Sequence, residues 1–259
     1  MIKTLGVQLY TVRDTLTIPE EADATFCRLA EMGYTEAQTA GIAFDAKLFG
    51  ELAAKNGVKL IGTHYDYNEI LTQPERTAEI HRMWGTTNIG IGGMPMDARA
   101  DLDGLKKFID EFNRAAELYA KEGFRLTYHN HNFEFVRIDG YKTIMDLLYE
   151  NFDPTNVSFV LDTCWVAAGG GDINAWMEKL AGRMDILHLK DITIVRDDVG
   201  GLKPIMTEIG NGNLDWSSII RNAEKIGVKH YVVEQDAHFT DSAFNSLQIS
   251  ADYLKQYRV

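Results

Sequence analysis

The chain has 259 residues, close to the length of one (β/α)8 barrel, and a formal net charge of −12. That acidity excludes a nucleic-acid backbone as the main partner, because phosphate binding needs a basic footprint, and it speaks against an anionic membrane surface. With 45% apolar and 25% charged residues, a sizeable core under a solvated surface is expected, with no disordered or low-complexity stretch.

In chain order, short apolar runs alternate with longer amphipathic ones. "MIKTLGVQLYTVRD" opens as a strand and a polar loop and not as a signal peptide. "PEEADATFCRLAEMG" is a helix with Pro19 near its start, Gly33 at its end, and Phe26, Leu29, Ala30 and Met32 on one stripe. "YTEAQ" is a second strand and "AFDAKLFGELAAKNG" a second helix. "VKLIGTHY" is a third strand, followed by a helix around "PERTAEIHRMWG", and "NIGIGG" is a weak fourth strand. "DLDGLKKFIDEFNRAAELYAKEG" is the clearest helix, and "FRLTYHNH" the fifth strand. A helix around "GYKTIMDLLYENF" stops before Pro154. The sixth and seventh strands are "NVSFVLDT" and "MDILHLKD", separated by the helix "DINAWMEKLAGR". A polar, glycine-containing segment from Thr193 to Gly212 reads as a lid. The helix "NLDWSSIIRNAEKIG", the strand "VKHYVVEQD" and the helix "TDSAFNSLQISADYLKQY" complete the series.

Strict alternation argues a parallel sheet, and eight units in this length favour a closed (β/α)8 TIM barrel as a single domain over 1–259. Strands opening after "MGY", "NGV", "EGF" and "IGV" share a glycine suited to a left-handed helix end. No run approaches the roughly 18 apolar residues of a membrane-spanning helix. Cys27 and Cys164 are too few for a disulfide framework, so a cytoplasmic setting is expected and the sequon at Asn156 carries no meaning.

In such a barrel the chemistry lies at the C-terminal ends of the strands. The last four ends are polar: Glu134 in "HNHNFEF", Asp162 in "FVLDTCW", His188 in "ILHLKD" and Glu234 in "VVEQD". Each alone has a structural reading, since an Asp after a strand is often a helix cap and a lone His is often a satisfied core residue. Three carboxylates converging on one mouth repel strongly at low dielectric unless a cation sits among them. One imidazole with several carboxylates and no thiolate suits Mn2+ or Mg2+, with Co2+ or Zn2+ as alternatives. A cation so held could polarise a ketose carbonyl while carboxylates on either face move the α-proton, which supports epimerisation, isomerisation or elimination.

The motifs "GVQLYTVRD", "YHNHNFEF", "LDTCW", "HLKD", "EIGNGNLDW" and "VVEQD" resemble the xylose isomerase-like barrels, specifically the sugar phosphate isomerase/epimerase branch with its ketose 3-epimerases and inosose isomerases. The resemblance implies one divalent metal, commonly Mn2+, held by Glu134, Asp162, His188 and Glu234, with the two glutamates as acid and base. It departs from the ketose 3-epimerases at Trp165, where they carry His, and at Lys190 and Asp191, where an Arg is expected nearby. His64, His131, Trp165 and Lys190 are the expected substrate contacts, with Gln8, Tyr10 and Gln38 behind them. Trp165 can equally cap the barrel, and Lys190 can equally pair with Asp191 or Glu208. The Asn130 and Asn132 amides suit either a carboxylate partner or a turn. Competing readings are a metal-dependent lyase or dehydratase on an inosose or keto-glycoside, a Schiff-base aldolase through Lys190, and a non-catalytic sugar-binding barrel. A small-molecule sugar is the expected partner, and self-association is expected, if at all, through aromatics near Trp84 or Trp216.

Overall fold

The computed structural model describes residues 1–258. Its barrel strands are β1 (Leu5–Gln8), β2 (Glu36–Thr39), β3 (Lys59–Thr63), β4 (Asn88–Ile91), β5 (Arg125–His129), β6 (Val157–Asp162), β7 (Ile186–Leu189) and β8 (His230–Val233). A parallel ladder runs unbroken from β4 through β5, β6, β7, β8, β1 and β2 to β3. Isolated bonds bridge β3 and β4. The Tyr65 N–H donates to the Gly90 carbonyl (2.7 Å), and the Asn88 amide donates to the Ile61 carbonyl (3.0 Å). The chain is therefore a nearly closed (β/α)8 barrel, as its alternating pattern leads one to expect.

The helices form because their apolar residues fall on one face. In Leu102–Ala120, Asp101 caps the Gly104 N–H, and Leu105, Phe108, Phe112, Ala116 and Tyr119 point inward. Fully burying a side chain such as Phe112 stabilises by about 1.5–3 kcal/mol. Gly33, Gly57, Gly123 and Gly227 all have positive φ where a helix turns into the next strand.

The barrel interior is layered. Ile61, Val160, Ile186 and Val232 form a small apolar cluster of their own. Because strand side chains alternate with a period of two, Asp162, His188 and Glu234 lie on the same inward face, one step nearer the C-terminal mouth. An apolar plug thus floors a polar layer.

Three features differ from expectation. Trp84 and Trp216 themselves are 7% and 2% exposed and packed in the core. A short helix at Thr163–Ala168 follows β6 directly. The segment expected as a lid begins as an antiparallel hairpin, Asp191–Arg196 against Leu202–Thr207.

Candidate metal centre and active site

Strands β5 to β8 bring four donors together: His129 Nε2, Asp162 Oδ2, His188 Nδ1 and Glu234 Oε2, all on buried residues whose ligand atoms lie within 4.8 Å of one another. Asp162 is held from outside. Its Oδ1 caps the Thr163–Ala168 helix by accepting the Trp165 N–H (2.9 Å), and its own N–H donates to the Asn130 side chain (3.0 Å). The expected cap reading of Asp162 is thus correct for one oxygen, and the other faces the mouth.

Both imidazoles are oriented by their outer nitrogens. His129 Nδ1 donates to the Gly92 carbonyl (3.2 Å). Gln38 gives its amide N–H to the Thr63 carbonyl (3.5 Å), so its oxygen faces His188 Nε2 (2.5 Å) and takes that proton. His188, whose pKa burial lowers, presents its Nδ1 lone pair to Glu234 Oε2 (3.0 Å), which is repulsive unless a positive charge lies between them. His129 Nε2 lies 3.4 Å from Asp162 Oδ2; burial acts to lower its pKa, but the Asp162 hydrogen bond and the Glu234 and Asp162 charges outweigh it and raise it, so this contact is met by a proton or by a cation. The outward N–H tethers are those that metal-ligating histidines use, and the donor set fits a divalent cation.

Glu134 is fully buried yet stands apart from this group. One carboxylate oxygen accepts the Tyr128 hydroxyl (2.6 Å) and the other the His131 N–H (2.8 Å). Burial pushes its carboxyl up to about 7 against those two hydrogen bonds. Burial also acts to raise Glu234, but Lys190 and His188 outweigh it and hold Glu234 well below the usual carboxylate range.

Lys190, 1% exposed, points into the carboxylates, at 3.0 Å from Glu234, 3.4 Å from Asp162 and 2.8 Å from Asp236. Burial disfavours its charge, but the three carboxylates prevail and raise its pKa above the usual lysine value. A lysine so stabilised as ammonium is a poor Schiff-base nucleophile. Neither expected partner takes it. Asp191 accepts backbone N–H groups and the Trp216 indole, and Glu208 accepts Ser246 and the Thr240 N–H.

The remaining expected contacts ring the same mouth. His64 packs against His129 and His188 with ring centres 4.8 and 5.5 Å away, and Trp165 covers His131 (5.4 Å) and Lys190 (5.2 Å). Gln8 accepts the Tyr10 N–H through its oxygen, so its amide N–H faces His64 Nδ1 (3.3 Å). His64 Nε2, Trp165 Nε1, His131 Nδ1 and Asp236 Oδ1 are buried with no hydrogen-bond partner among the described residues. Unmet polar atoms gathered at one mouth are what a polyhydroxylated ligand would satisfy. Tyr10 lies outside this ring, exposed beneath Arg13.

Sequence reasoning placed His129 only on the same face as His131 and missed Asp236 as a partner of Lys190. The signal for His129 was the strand period, which aims it inward two residues beyond Thr127. Asp236 lies two residues beyond Glu234 and three past the end of β8, where the strand period no longer fixes a side chain's direction.

Comparison with known proteins identifies the fold and the family. A solved sugar phosphate isomerase/epimerase from Parabacteroides distasonis is 25% identical, with TM-score 0.79 over 98% of this chain and 94% of that one. D-allulose 3-epimerase from Methylomonas sp. shares the fold at 12% identity, with TM-score 0.69 over 98% of each chain. Inosose dehydratase of Geobacillus thermodenitrificans is 28% identical over 141 residues, which span 49% of this chain and 46% of that protein. The family model described as xylose isomerase-like TIM barrel matches residues 26–257. With its barrel, its polar mouth and that match over most of its length, the chain belongs to the xylose isomerase-like TIM barrel family.

Proposed function

We propose that the chain is a divalent-metal-dependent sugar isomerase or epimerase working through an enediolate, with Glu134 and Glu234 as its acid/base pair. The observation that carries this reading is the convergence of His129, Asp162, His188 and Glu234 at four consecutive strand ends in a barrel of this family. In this reading those four are the ligands, and Glu134, which stands apart from them, keeps the acid/base role that the family resemblance implies. When bound, a divalent ion (Mn2+ first, with Mg2+, Co2+ or Zn2+ as alternatives) would polarise the substrate carbonyl and stabilise the charge formed as the neighbouring proton leaves.

The chain's own residues supply the rest. Glu134, raised to about 7, is the group able to take and hold a proton near neutrality, and Glu234, which Lys190 and His188 hold ionised, is its partner in the pair. His64 Nε2–H and Trp165 Nε1–H are donors for substrate oxygens, and His131 and Trp165 form the wall against which a sugar ring would lie. The floor of Ile61, Val160, Ile186 and Val232 keeps water from entering below. Free Cys27 and Cys164 support a cytoplasmic setting.

Similarity to an inosose dehydratase favours a second outcome of the same proton abstraction, loss of a β-leaving group from an oxidised sugar. One experiment separates the readings. Mn2+-loaded protein in D2O is incubated with ketoses, inososes and 3-keto-glycosides, and carbon-bound protons are followed by NMR. Metal-dependent loss of an α-proton signal with the carbon skeleton intact is the expected result, and an unsaturated product would identify the lyase. Binding without exchange anywhere in the panel would point to a substrate outside it, a missing partner subunit or a sugar-binding barrel.

A further inference from the structure

The backbone of Lys190 is pinned beside the cluster that its side chain enters. Its N–H donates to the Thr163 hydroxyl (3.0 Å), which in turn donates to the Lys190 carbonyl (2.8 Å). The next residue, Asp191, anchors the chain by accepting the N–H groups of Ile192 (2.8 Å), Gly210 (2.9 Å) and Gly212 (3.2 Å) and the Trp216 indole (2.6 Å). Trp165 lies over the ammonium. That ammonium donates to Glu234 and Asp236 and forms an ion pair with Asp162 at 3.4 Å. Two of the oxygens it meets, Asp162 Oδ2 and Glu234 Oε2, are the same atoms that face the two imidazoles.

Charge bookkeeping then has a definite form. With Asp162, Glu234 and Asp236 ionised and both imidazoles neutral, as metal ligation requires, the site carries three negative charges; Lys190 cancels one, and a divalent cation would cancel the other two. The ammonium and the cation share the same anions at short range, so each lowers the other's hold on them.

We propose that Lys190 is a resident counter-cation: it keeps Asp162 and Glu234 in ligand position without metal, and its charge weakens metal binding so that the ion stays exchangeable. This rests on reading His129, Asp162, His188 and Glu234 as a cation site. Asp236 is the balancing partner, since it bonds the ammonium but is not among the grouped donors.

The test is a titration of the metal-stripped full chain with Mn2+, following free Mn2+ by electron paramagnetic resonance, together with Tm in EDTA. In Lys190→Met the Kd for Mn2+ should fall about tenfold or more, because an ammonium beside the same oxygens no longer opposes the ion. Its Tm in EDTA should drop, and Mn2+ should restore it. Asp236→Asn should move the Kd the opposite way, severalfold weaker, though it removes no ligand. The double variant, which removes one charge of each sign, should return near the wild-type Kd and provides a folded protein if Lys190→Met alone is unstable. An unchanged or weaker Kd in Lys190→Met, or an unchanged Kd in Asp236→Asn, overturns the proposal. A wild type that takes up no Mn2+ beside a Lys190→Met that does would support the counter-cation and defeat the metal-loaded reading of the wild type. Failure of both to bind overturns both.

Discussion

Two glutamates, one after β5 and one after β8, meet opposite environments. Glu134 touches a tyrosine hydroxyl and a backbone N–H in a dry pocket, while Glu234 touches an ammonium and an imidazole. Glu134→Gln and Glu234→Gln should each lower turnover by about 10²–10⁴-fold, the usual worth of a general acid or base. Only Glu234→Gln should also weaken Mn2+ binding, and equal losses of affinity in both would return Glu134 to the ligand set. Glu134 also has a pH signature. Its carboxyl is raised from 4.5 to about 7, so the folded chain binds that proton more tightly than the unfolded chain does. The contribution to stability is therefore fully present below 4.5 and is lost as pH rises to 7. Glutamine cannot lose a proton, so the difference in Tm between Glu134→Gln and wild type should move in the variant's favour from pH 4.5 to 7 and stay level above it. A flat difference across that window would contradict the raised carboxyl. At this scale Asp162, His188 and Glu234 could be read from the sequence because each closes an apolar strand. His129 could not be separated from Glu134, since "HNHNFEF" crowds five polar side chains into a bend where the strand period ends.

The hairpin after β7 shows how an element escapes a periodic reading. Its strands lie on the surface with no face fully buried, the alternation of polar and apolar residues runs only from Asp191 to Ile194, and Pro204 sits in the second strand. The turn is legible: Asp197 accepts the Val199 and Gly201 N–H groups, and Gly200 adopts positive φ. The base of the hairpin depends on Asp191, whose carboxylate also excludes any side chain at Gly212. Asp191→Ala would strand the buried Trp216 indole N–H and the loop amides, at about 1–3 kcal/mol for each unsatisfied group. Amide exchange over residues 192–213 should accelerate in that variant while β1–β3 keep their protection. Uniform acceleration throughout the barrel would mean that Asp191 supports the whole fold and not the hairpin.

Across the whole molecule, the candidate site lies on the continuous side of the barrel and the weak seam lies between β3 and β4. Strand count and closure were legible because eight apolar runs and their glycine-terminated helices leave few other architectures. The seam was not legible, because it depends on a contact between strands. Gly90 makes that contact possible: a Cβ there would collide with the Thr63 carbonyl and the Thr127 hydroxyl. The Gly90 N–H also donates to Thr63 Oγ1 (3.2 Å), and one strand end further Gly92 holds His129 through its carbonyl. Gly90→Ala must therefore push β4 away from β3 or from β5. Overpacking of this kind costs about 1–3 kcal/mol, to be read from the midpoint of denaturant unfolding. If the strain opens the β3–β4 seam, Asp162, His188 and Glu234 stay paired on their own ladder, and Mn2+ affinity should fall far less than in Asp162→Ala. If affinity falls as far as in Asp162→Ala, the strain has been relieved toward β5 through Gly92 and His129, and barrel closure and the metal centre are one cooperative unit.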